Sequence, residues 1–385
     1  MSWNQQIGKK YNKQQILNCI FSKDIVSRGE IIEETGLKKA TVANLVTELL
    51  EEQLVTEDGK ELSTGGRRSR LLRFNKTAGF ALGIDIGVNY LHGVVVNLKG
   101  EIIFEKLQPV STIQLESYLK NILELIELLH NNVPSSHYSI IGLGVAVPGS
   151  INKDGVIIKA PNLRWENFDI KHFLQQRLHY PIHISNEANA GAYAEYIFEN
   201  NKETSNLIYL SIGIGLGVGI IIDNRIYLGV NGFSGESGHT IIQMNGRKCT
   251  CGRNGCWEAY ASEYALIHEA TYMLKEKELT LEKLITLAEE GHKDVLQLFN
   301  DIGHYIGLGI TNLIYTFNPE KIIIGNQITK AQKFIEQSLF ETVKSEMMHF
   351  HLTDDSVQFS KLKNHSIVLG AASFIIDQFI QLAFE

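Results

Sequence analysis

The chain has 385 residues, which is too long for one ordinary hydrophobic core and predicts two or three domains. With 44% hydrophobic and 21% charged residues, its composition is that of a globular protein and excludes a disordered chain. No apolar run reaches the ~18 residues that span a membrane, and the opening MSWNQQIGKKYNKQQ contains no hydrophobic signal segment. We therefore expect a cytoplasmic protein without a membrane partner.

The net charge of −7 is unevenly distributed along the chain. Residues 1–76 carry 13 Lys and Arg against 10 Asp and Glu, whereas the remaining residues carry 23 against 33. A mildly basic segment joined to an acidic body is typical of a nucleic-acid-binding module attached to a second domain, although the signal is weak alone. We place the two domains at 1–76 and 77–385.

Three helices are predicted near the start of the chain. Apolar residues at 16, 17, 20 and 21 follow helical spacing, Ser27 and Glu30 form a capping-box pattern for a second helix, and the stripe over 42–50 predicts a third. The polar face at the start of the third helix presents Lys38, Lys39, Thr41 and Asn44. This pattern is typical of a helix-turn-helix that contacts DNA, although any small three-helix domain fits it.

A β-wing is predicted after the third helix. Strands over 54–56 and 69–74 are expected to flank a turn at Asp58-Gly59, and the glycine-rich loop carries Arg67, Arg68 and Arg70. Arginines on a mobile loop suit phosphates or a narrow minor groove, whereas a solvated run of charge is the alternative. Residues 1–76 are therefore predicted to be a winged helix-turn-helix that binds double-stranded operator DNA.

The segments 80–102 and 207–226 resemble each other. Each is predicted to be a β-hairpin with a glycine-rich first turn, followed later in the chain by helices. Two such halves with a ligand between them describe the two-lobed α/β fold of actin-like sugar kinases. An α/β domain with incidental glycines remains the alternative.

Three cysteines, Cys249, Cys251 and Cys256, lie within eight residues of one another. A cytosolic protein seldom keeps structural disulfides, so this cluster favours metal ligands. With His239 ten positions earlier, three thiolates and one imidazole complete a closed, tetrahedral zinc site of the structural type. Reduced cysteines in a loop near 239–256 are the alternative.

Several short motifs occur in an order that resembles the ROK family of repressors and kinases, and in particular its xylose-repressor branch. The motifs are Thr64-Gly-Gly-Arg-Arg68, Asp85-Ile-Gly87, Val147-Pro-Gly149, Ala160-Pro-Asn-Leu163 with Trp165, Asn186-Glu-Ala-Asn-Ala190, Gly235-Glu-Ser-Gly-His239 and the cysteine cluster. The resemblance implies an N-terminal winged helix-turn-helix followed by an actin-like sugar-binding fold of two lobes.

The resemblance also implies a set of sugar-binding residues. They are Gly149, Asn162, Asn186, Glu187, Glu236, His239 and Glu258. Carboxylates accept from two vicinal hydroxyls, and an imidazole with one nitrogen on zinc offers the other to a hydroxyl. For any single member of the set, an ordinary surface residue is the alternative.

The phosphate loops depart from those of the family's ATP-using members. Those members show Asp-Ile-Gly-Gly-Thr-Lys, where this chain has Asp85-Ile-Gly-Val-Asn-Tyr90. In the second loop, Ile214 replaces a residue with a hydroxyl group and Val218 replaces a glycine. A later loop reads Gly325-Asn326-Gln327 where the ATP-using members have a pair of glycines. Glu187 replaces the catalytic Asp, a change that alone indicates little. We predict sugar binding without kinase activity, and no catalytic residue.

These observations predict a sugar-responsive repressor of a carbohydrate operon, which releases operator DNA when sugar binds. The effector is xylose or glucose, and a homodimer or a dimer of dimers is expected. Xylose is favoured because Glu187 is one methylene longer than Asp and would crowd the hydroxymethyl group of a hexose. The alternative is that Glu187 reflects only the loss of catalysis, without selection for a pentose. The alternatives are an ATP-dependent sugar kinase with an appended DNA-binding domain, and a DNA-binding scaffold without a ligand.

Overall fold

A computed structural model of the chain describes residues 3–23, 25–60, 70–199, 204–347 and 356–382. It is an α/β structure with small N-terminal elements and two five-stranded mixed sheets. Within those ranges, every helix is too short or too polar to span a bilayer.

The N-terminal elements have the predicted order of three helices and a hairpin. They are α1 (Trp3–Ser22), β1 (Val26–Ser27), α2 (Arg28–Thr35), α3 (Lys39–Glu51), β2 (Val55–Lys60) and β3 (Arg70–Phe74). The predicted capping box is confirmed, because the Ser27 hydroxyl accepts from the backbone N–H of Glu30 while the Glu30 carboxylate accepts from that of Ser27. Gly36, with φ +66°, ends α2 in the left-handed conformation that favours glycine.

The predicted turn at Asp58-Gly59 is wrong. Both residues belong to β2, whose antiparallel pairing with β3 continues to Lys60 opposite Arg70, with a register irregularity between Asp58 and Lys60. The interstrand hydrogen bonds and the bulge accommodate Gly59 within the strand, so the local turn preference of Asp-Gly is overridden. The loop between the two strands, which includes Arg67 and Arg68, lies outside the described residues.

The N-terminal elements pack directly on the rest of the chain. One hydrophobic cluster joins Ile16 and Leu49 of the helices to Val94 and Val368 of the body. The Lys99 ammonium group also donates a 2.6 Å hydrogen bond to the backbone carbonyl oxygen of Phe21, near the end of α1. The predicted boundary at 76/77 falls in the short connection between β3 and the next strand.

The first lobe is built on a sheet of five strands. Its elements are β4 (Phe80–Ile86), β5 (Tyr90–Asn97), β6 (Ile102–Pro109), α4 (Leu115–Asn131), β7 (Ile140–Val147), β8 (Ser150–Ile151), β9 (Ile157–Ala160), β10 (Trp165–Phe168), α5 (Ile170–Gln175) and β11 (Ile182–Asn186). The strand order is β11-β7-β4-β5-β6, in which β4, β5 and β6 are antiparallel neighbours and β7 and β11 run parallel to β4. The apolar face of α4 covers one side of this sheet.

The second lobe begins with α6 (Glu187–Ala194) and a π-helical turn (Glu195–Glu199). The elements that follow are β12 (Leu207–Ile212), β13 (Leu216–Ile222), β14 (Arg225–Ile226), a 3-10 turn (Glu236–His239), α7 (Glu258–Ala261), α8 (Glu263–Leu274), α9 (Leu281–Glu289), α10 (Lys293–Phe317), β15 (Lys321–Gly325), a 3-10 turn (Gln327–Ala331), α11 (Gln332–Glu346), β16 (Val357–Phe359), a 3-10 turn (Lys363–His365) and α12 (Ser366–Leu382).

The two sheets share one topology. The second has the order β14-β13-β12-β15-β16, again an antiparallel hairpin followed by two parallel strands. The duplication predicted from the sequence is therefore confirmed. Between the sheets, α12 packs on β4 and β7 while α6 packs on β12 and β13, and the two helices contact each other. They approach closely at Gly370, where a Cβ atom would lie 1.7 Å from the carbonyl oxygen of Ala190.

Candidate functional site

One cavity of about 810 Å³ opens between the two lobes. All seven residues of the predicted sugar site line it, and so do phosphate-loop residues of both duplicated hairpins. The motifs are dispersed along the chain, but each follows a strand or opens a short helix, so the fold brings them together at the cleft. The structure thus places the predicted set in one site.

Asn186 is positioned by the start of α6. Its side-chain oxygen accepts from the backbone N–H groups of Ala188 and Asn189, which caps the helix, while its amide donates to the carbonyl oxygen of Gly149 at 2.9 Å. Gly149 has φ +112°, and a Cβ atom there would lie 2.4 Å from the carbonyl oxygen of Lys159. The two residues hold together the ends of β11 and β7 at the cavity wall.

Glu187 follows Asn186 as the first residue of α6 and faces the cavity. Burial, together with the negative charges of Asp85 and Glu258, raises the pKa of this carboxyl to about 8. The hydroxyl of Ser211 lies 3.4 Å from its Oε1. The carboxyl is therefore held largely protonated at neutral pH, as a group that donates to a ligand oxygen as well as accepting.

Glu258 joins the second glycine-rich loop to the cysteine loop. Its Oε2 accepts from the backbone N–H of Leu216 at 3.0 Å, and its Oε1 accepts from the hydroxyl of Thr250 at 3.1 Å. A Cβ atom on Gly215 would lie 2.9 Å from Glu258 Oε2 and 3.2 Å from Asn162 Nδ2, so both polar groups lie close to this glycine. Thr250 belongs to none of the motifs from which the sugar site was predicted, and only its contact with Glu258 links it to the site.

Glu236 and His239 lie on the same 3-10 turn. Glu236 Oε1 accepts from the hydroxyl of Ser150 in the first lobe at 2.9 Å, and its Oε2 lies 3.9 Å from His239 Nε2. The His239 Nδ1 atom faces the other way and lies 3.6 Å from Cys249 Sγ. One imidazole therefore borders the cavity with one nitrogen and the cysteine cluster with the other.

The four predicted metal ligands form one cluster. His239, Cys249, Cys251 and Cys256 offer ligand atoms that all lie within 4.8 Å of one another. The Cys251 and Cys256 sulfurs are 3.7 Å apart, and all three cysteines are free thiols. Ligands held by a tetrahedral zinc lie roughly 3.5–3.8 Å from each other, so the spacing fits such an ion.

Arg253 is a further residue of the cysteine loop that the sequence reasoning missed. Its guanidinium donates a 2.8 Å hydrogen bond to the carbonyl oxygen of His239. Its positive charge lies near the thiols, and the hydrogen bond to Cys251 together with the charges of Cys256 and Cys251 raises the pKa of the guanidinium. Arg253 therefore helps to fix the turn that carries His239.

At the first phosphate loop, Tyr90 fills the space over a glycine. A Cβ atom on Gly87 would lie 2.3 Å from the Tyr90 ring, and the Tyr90 hydroxyl donates a 2.8 Å hydrogen bond to Asp85 Oδ2. Burial raises the pKa of Asp85 to about 7, although that hydrogen bond lowers it in part. The first loop is thus occupied by its own side chain.

At the second glycine-rich loop, the Asn326 side chain lies beside Gly213. It is 4% exposed with φ +68°, its amide donates to the Ser211 hydroxyl at 3.0 Å, and a Cβ atom on Gly213 would lie 3.0 Å from the same amide nitrogen. Val218, also singled out from the sequence, is 2% exposed and packs with Leu216 in the core of the second lobe.

The predicted DNA-binding residues of α3 lie at its start. Lys38 is the residue before the first turn, and Lys38, Lys39 and Asn44 are exposed, whereas Thr41 is half-buried. Arg70 is exposed but pairs with Glu57, which also accepts from Arg28 at 3.1 Å. The role of these residues stays a prediction.

Comparison with known proteins identifies the family. The ROK family model matches residues 81–378, and the xylose repressor of Bacillus subtilis (strain 168) is 38% identical over 379 residues, 98% of each chain. The chain belongs to the ROK family. A solved ROK family transcriptional regulator, described as a homolog of the E. coli MLC protein, superposes with a TM-score of 0.79 at 25% identity and covers 97% of this chain and 96% of its own.

A second solved structure, that of a kinase, shares the fold of the two lobes. A ROK family glucokinase from Streptomyces griseus, in complex with glucose and AMPPNP, covers 77% of this chain and 99% of its own, with a TM-score of 0.70 and 23% identity. At this identity the likeness shows the fold alone. The predicted kinase-like body of two lobes is thereby confirmed.

Proposed function

We propose that this protein is a sugar-responsive transcriptional repressor of xylose utilisation, which releases operator DNA when the sugar binds. The observation that carries the proposal is a contrast within one cavity. All seven predicted sugar-binding residues line it, while the Tyr90 ring lies over Gly87 and the Asn326 amide lies beside Gly213 in the glycine loops. Repressor relatives similar over nearly the whole chain support it.

In this proposal the polar side chains of the cleft replace water around the sugar hydroxyls. Glu258 and Glu236 accept from hydroxyls, and Asn162 and His239 donate to them, because each lines the cavity with a polar atom not fully used in the protein. Glu187 and Asn186 add contacts from the start of α6. A sugar that leaves any of these polar groups unpaired binds less tightly.

We further propose that His239, Cys249, Cys251 and Cys256 hold a structural zinc ion. A bound zinc supplies a cross-link that keeps the cysteine loop folded and makes the thiolate form favourable. The His239 ring, held through Nδ1, would present Nε2 to a sugar in the cavity. Glu258 would be oriented toward the sugar by its hydrogen bond with Thr250, which belongs to the cysteine loop.

We propose that residues 1–76 form the DNA-binding domain and residues 77–385 the sugar-binding domain. Lys38, Lys39, Thr41 and Asn44 would enter the major groove, while Arg67, Arg68 and Arg70 would contact phosphates from the wing. Two copies in a dimer, or a dimer of dimers, would bind paired half-sites in the cytoplasm. Sugar releases DNA because it binds more tightly to the state with the wrong half-site spacing.

The test is operator binding measured with and without sugar. We expect purified protein to bind its own promoter region with a strong salt dependence, and xylose to weaken that binding. Replacing Asn44 with Ala should change base preference, whereas replacing Arg67 and Arg68 together should lower the salt dependence for every sequence. Operator affinity that no sugar alters would contradict the proposal.

The second candidate is a sugar kinase with an appended DNA-binding domain. The likeness to the glucokinase fold and the carboxyl of Glu187 at the cleft favour it. Xylose- or glucose-dependent release of ADP from ATP would establish this candidate. If no ADP is released and operator binding depends on sugar, the kinase is excluded and the repressor is supported.

A further inference from the structure

Two imidazoles and a carboxylate meet at the edge of the first sheet, apart from both the cavity residues and the cysteine cluster. His92 on β5 and Glu105 on β6 come from neighbouring strands, and His365 comes from the turn that precedes α12. The Nε2 atom of His92 lies 2.7 Å from Glu105 Oε1, and the Nε2 atom of His365 lies 2.9 Å from the same oxygen. All three ligand atoms lie within 4.8 Å of one another.

The convergence on one oxygen is informative. A carboxylate has two oxygens with about four lone-pair sites, so two imidazoles that merely needed acceptors had room to use both. In the structure both Nε2 atoms instead pair with Oε1, so three potential ligand atoms are gathered within 4.8 Å, a spacing that one metal ion can bridge. The two rings lie 5.5 Å apart at an interplanar angle of 62°, so they approach Oε1 from different directions.

The surroundings suit an ion that enters from solvent. The His92 side chain is 1% exposed, which fixes one ligand inside the sheet, whereas those of Glu105 and His365 are 38% and 32% exposed.

The chemistry of the donors selects the class of ion. Two imidazole nitrogens and one carboxylate oxygen suit zinc and its divalent transition-metal neighbours, whereas magnesium and calcium prefer oxygen ligands alone. We propose that His92, Glu105 and His365 form a second divalent metal site of the zinc class. The site joins β6 to the turn before α12.

The position of the site suggests what it does. Leu107 on β6 and Asn364 beside His365 both line the cavity between the lobes. An ion held by Glu105 and His365 would clamp these two parts of the cavity wall together. Loading the site should therefore stabilise the folded protein without using any residue of the sugar set.

Metal titration of the full chain tests the proposal. Protein holding one equivalent of zinc is titrated with further Zn²⁺ against a chromophoric chelator, and the same experiment with Co²⁺ reports the ligand type, because only the cysteine cluster gives thiolate-to-cobalt absorption. We expect a second equivalent that binds without a thiolate signal. Glu105→Gln and His365→Gln should each weaken it by at least about tenfold.

Glu116→Gln, an exposed carboxylate at the start of α4, is the matched control and should leave both equivalents unchanged. Both test positions are substantially exposed, and two independent variants guard against one that fails to fold. A native chain that binds no second equivalent overturns the proposal and leaves the cluster as a pair of hydrogen bonds. A second equivalent that neither variant weakens overturns it as well.

Discussion

The Tyr138 hydroxyl donates a 3.0 Å hydrogen bond to the backbone carbonyl oxygen of Glu52, the C-cap residue that follows α3. Tyr138 belongs to the first lobe, and its ring packs edge-on against Phe379 of α12 with ring centroids 4.9 Å apart. A single side chain thus links the helix proposed to read DNA to the helix that lies between the two sheets. Under the proposed function, this contact is a route by which a change in the lobes would reach the N-terminal helices.

We expect Tyr138→Phe to reduce the effect of xylose on operator affinity. A neutral hydrogen bond contributes about 0.5–1.5 kcal/mol, so the ratio of affinities without and with xylose should fall roughly twofold to tenfold. Tyr180→Phe is the matched control, because the Tyr180 hydroxyl has no hydrogen-bond partner among the described residues. Fluorescence anisotropy with labelled operator measures the ratio, and an unchanged ratio in Tyr138→Phe would exclude this route.

The choice of sugar should depend on the length of the side chain at position 187. We expect xylose to bind more tightly than glucose by on the order of tenfold to a few hundredfold, since one crowded group is worth roughly 1–3 kcal/mol. Glu187→Asp should narrow or reverse that preference. Calorimetry with both sugars on both proteins measures it, and equal affinity of the unmodified protein for glucose and xylose would end the argument for a pentose.

The free energy of unfolding should depend on pH through the Glu187 carboxyl. Its pKa is about 8 in the folded protein, against an ordinary value of 4.5, so folding favours the protonated form. The stability that this group contributes is complete below pH 4.5 and is lost as the pH rises toward about 8. Glu187→Gln, which cannot ionise, should therefore gain stability relative to the native chain more at pH 8 than at pH 5.

Urea denaturation at both pH values measures the difference. The control is Glu116→Gln, whose side chain is exposed on α4 and should change stability equally at both. If the native chain and Glu187→Gln showed the same pH dependence, the carboxyl would not be held protonated.

The cysteine cluster should hold about one zinc per chain. Cys251→Ser should lower the metal content and the thermal stability and, through the loss of orientation of His239, weaken xylose binding. Cys19→Ser is the control for thiol loss alone, since Cys19 is buried in the N-terminal core far along the chain from the cluster. Freshly purified protein without metal by elemental analysis would refute both the site and its link to the sugar.

Much of the site could be predicted because its residues occur in short motifs at element boundaries. Asn186 and Glu187 span the junction of β11 and α6, and the cysteines lie within one loop, so local sequence determines their placement. The capping box at Ser27 and Glu30 was predictable for the same reason.

Long-range contacts could not be predicted in this way. Asp58-Gly59 has a strong local turn preference, yet its strand pairs with β3 and overrides that preference. The Tyr90 ring lies over Gly87 with its hydroxyl bonded to Asp85, and residues as distant in sequence as Glu105 and His365 meet only through the tertiary fold. The sequence contains these residues but does not specify their tertiary contacts.

The side chains of Tyr90 and Asn326 in the glycine loops affect how the occupancy of the sugar site would follow the sugar concentration. A protein that phosphorylates its sugar removes the molecule it detects, so its occupancy reflects turnover. A protein that returns the sugar unchanged follows the free concentration by mass action and resets as soon as that concentration falls. The two side chains would thus make the response a reversible measure of sugar supply, with no ATP consumed for each reading.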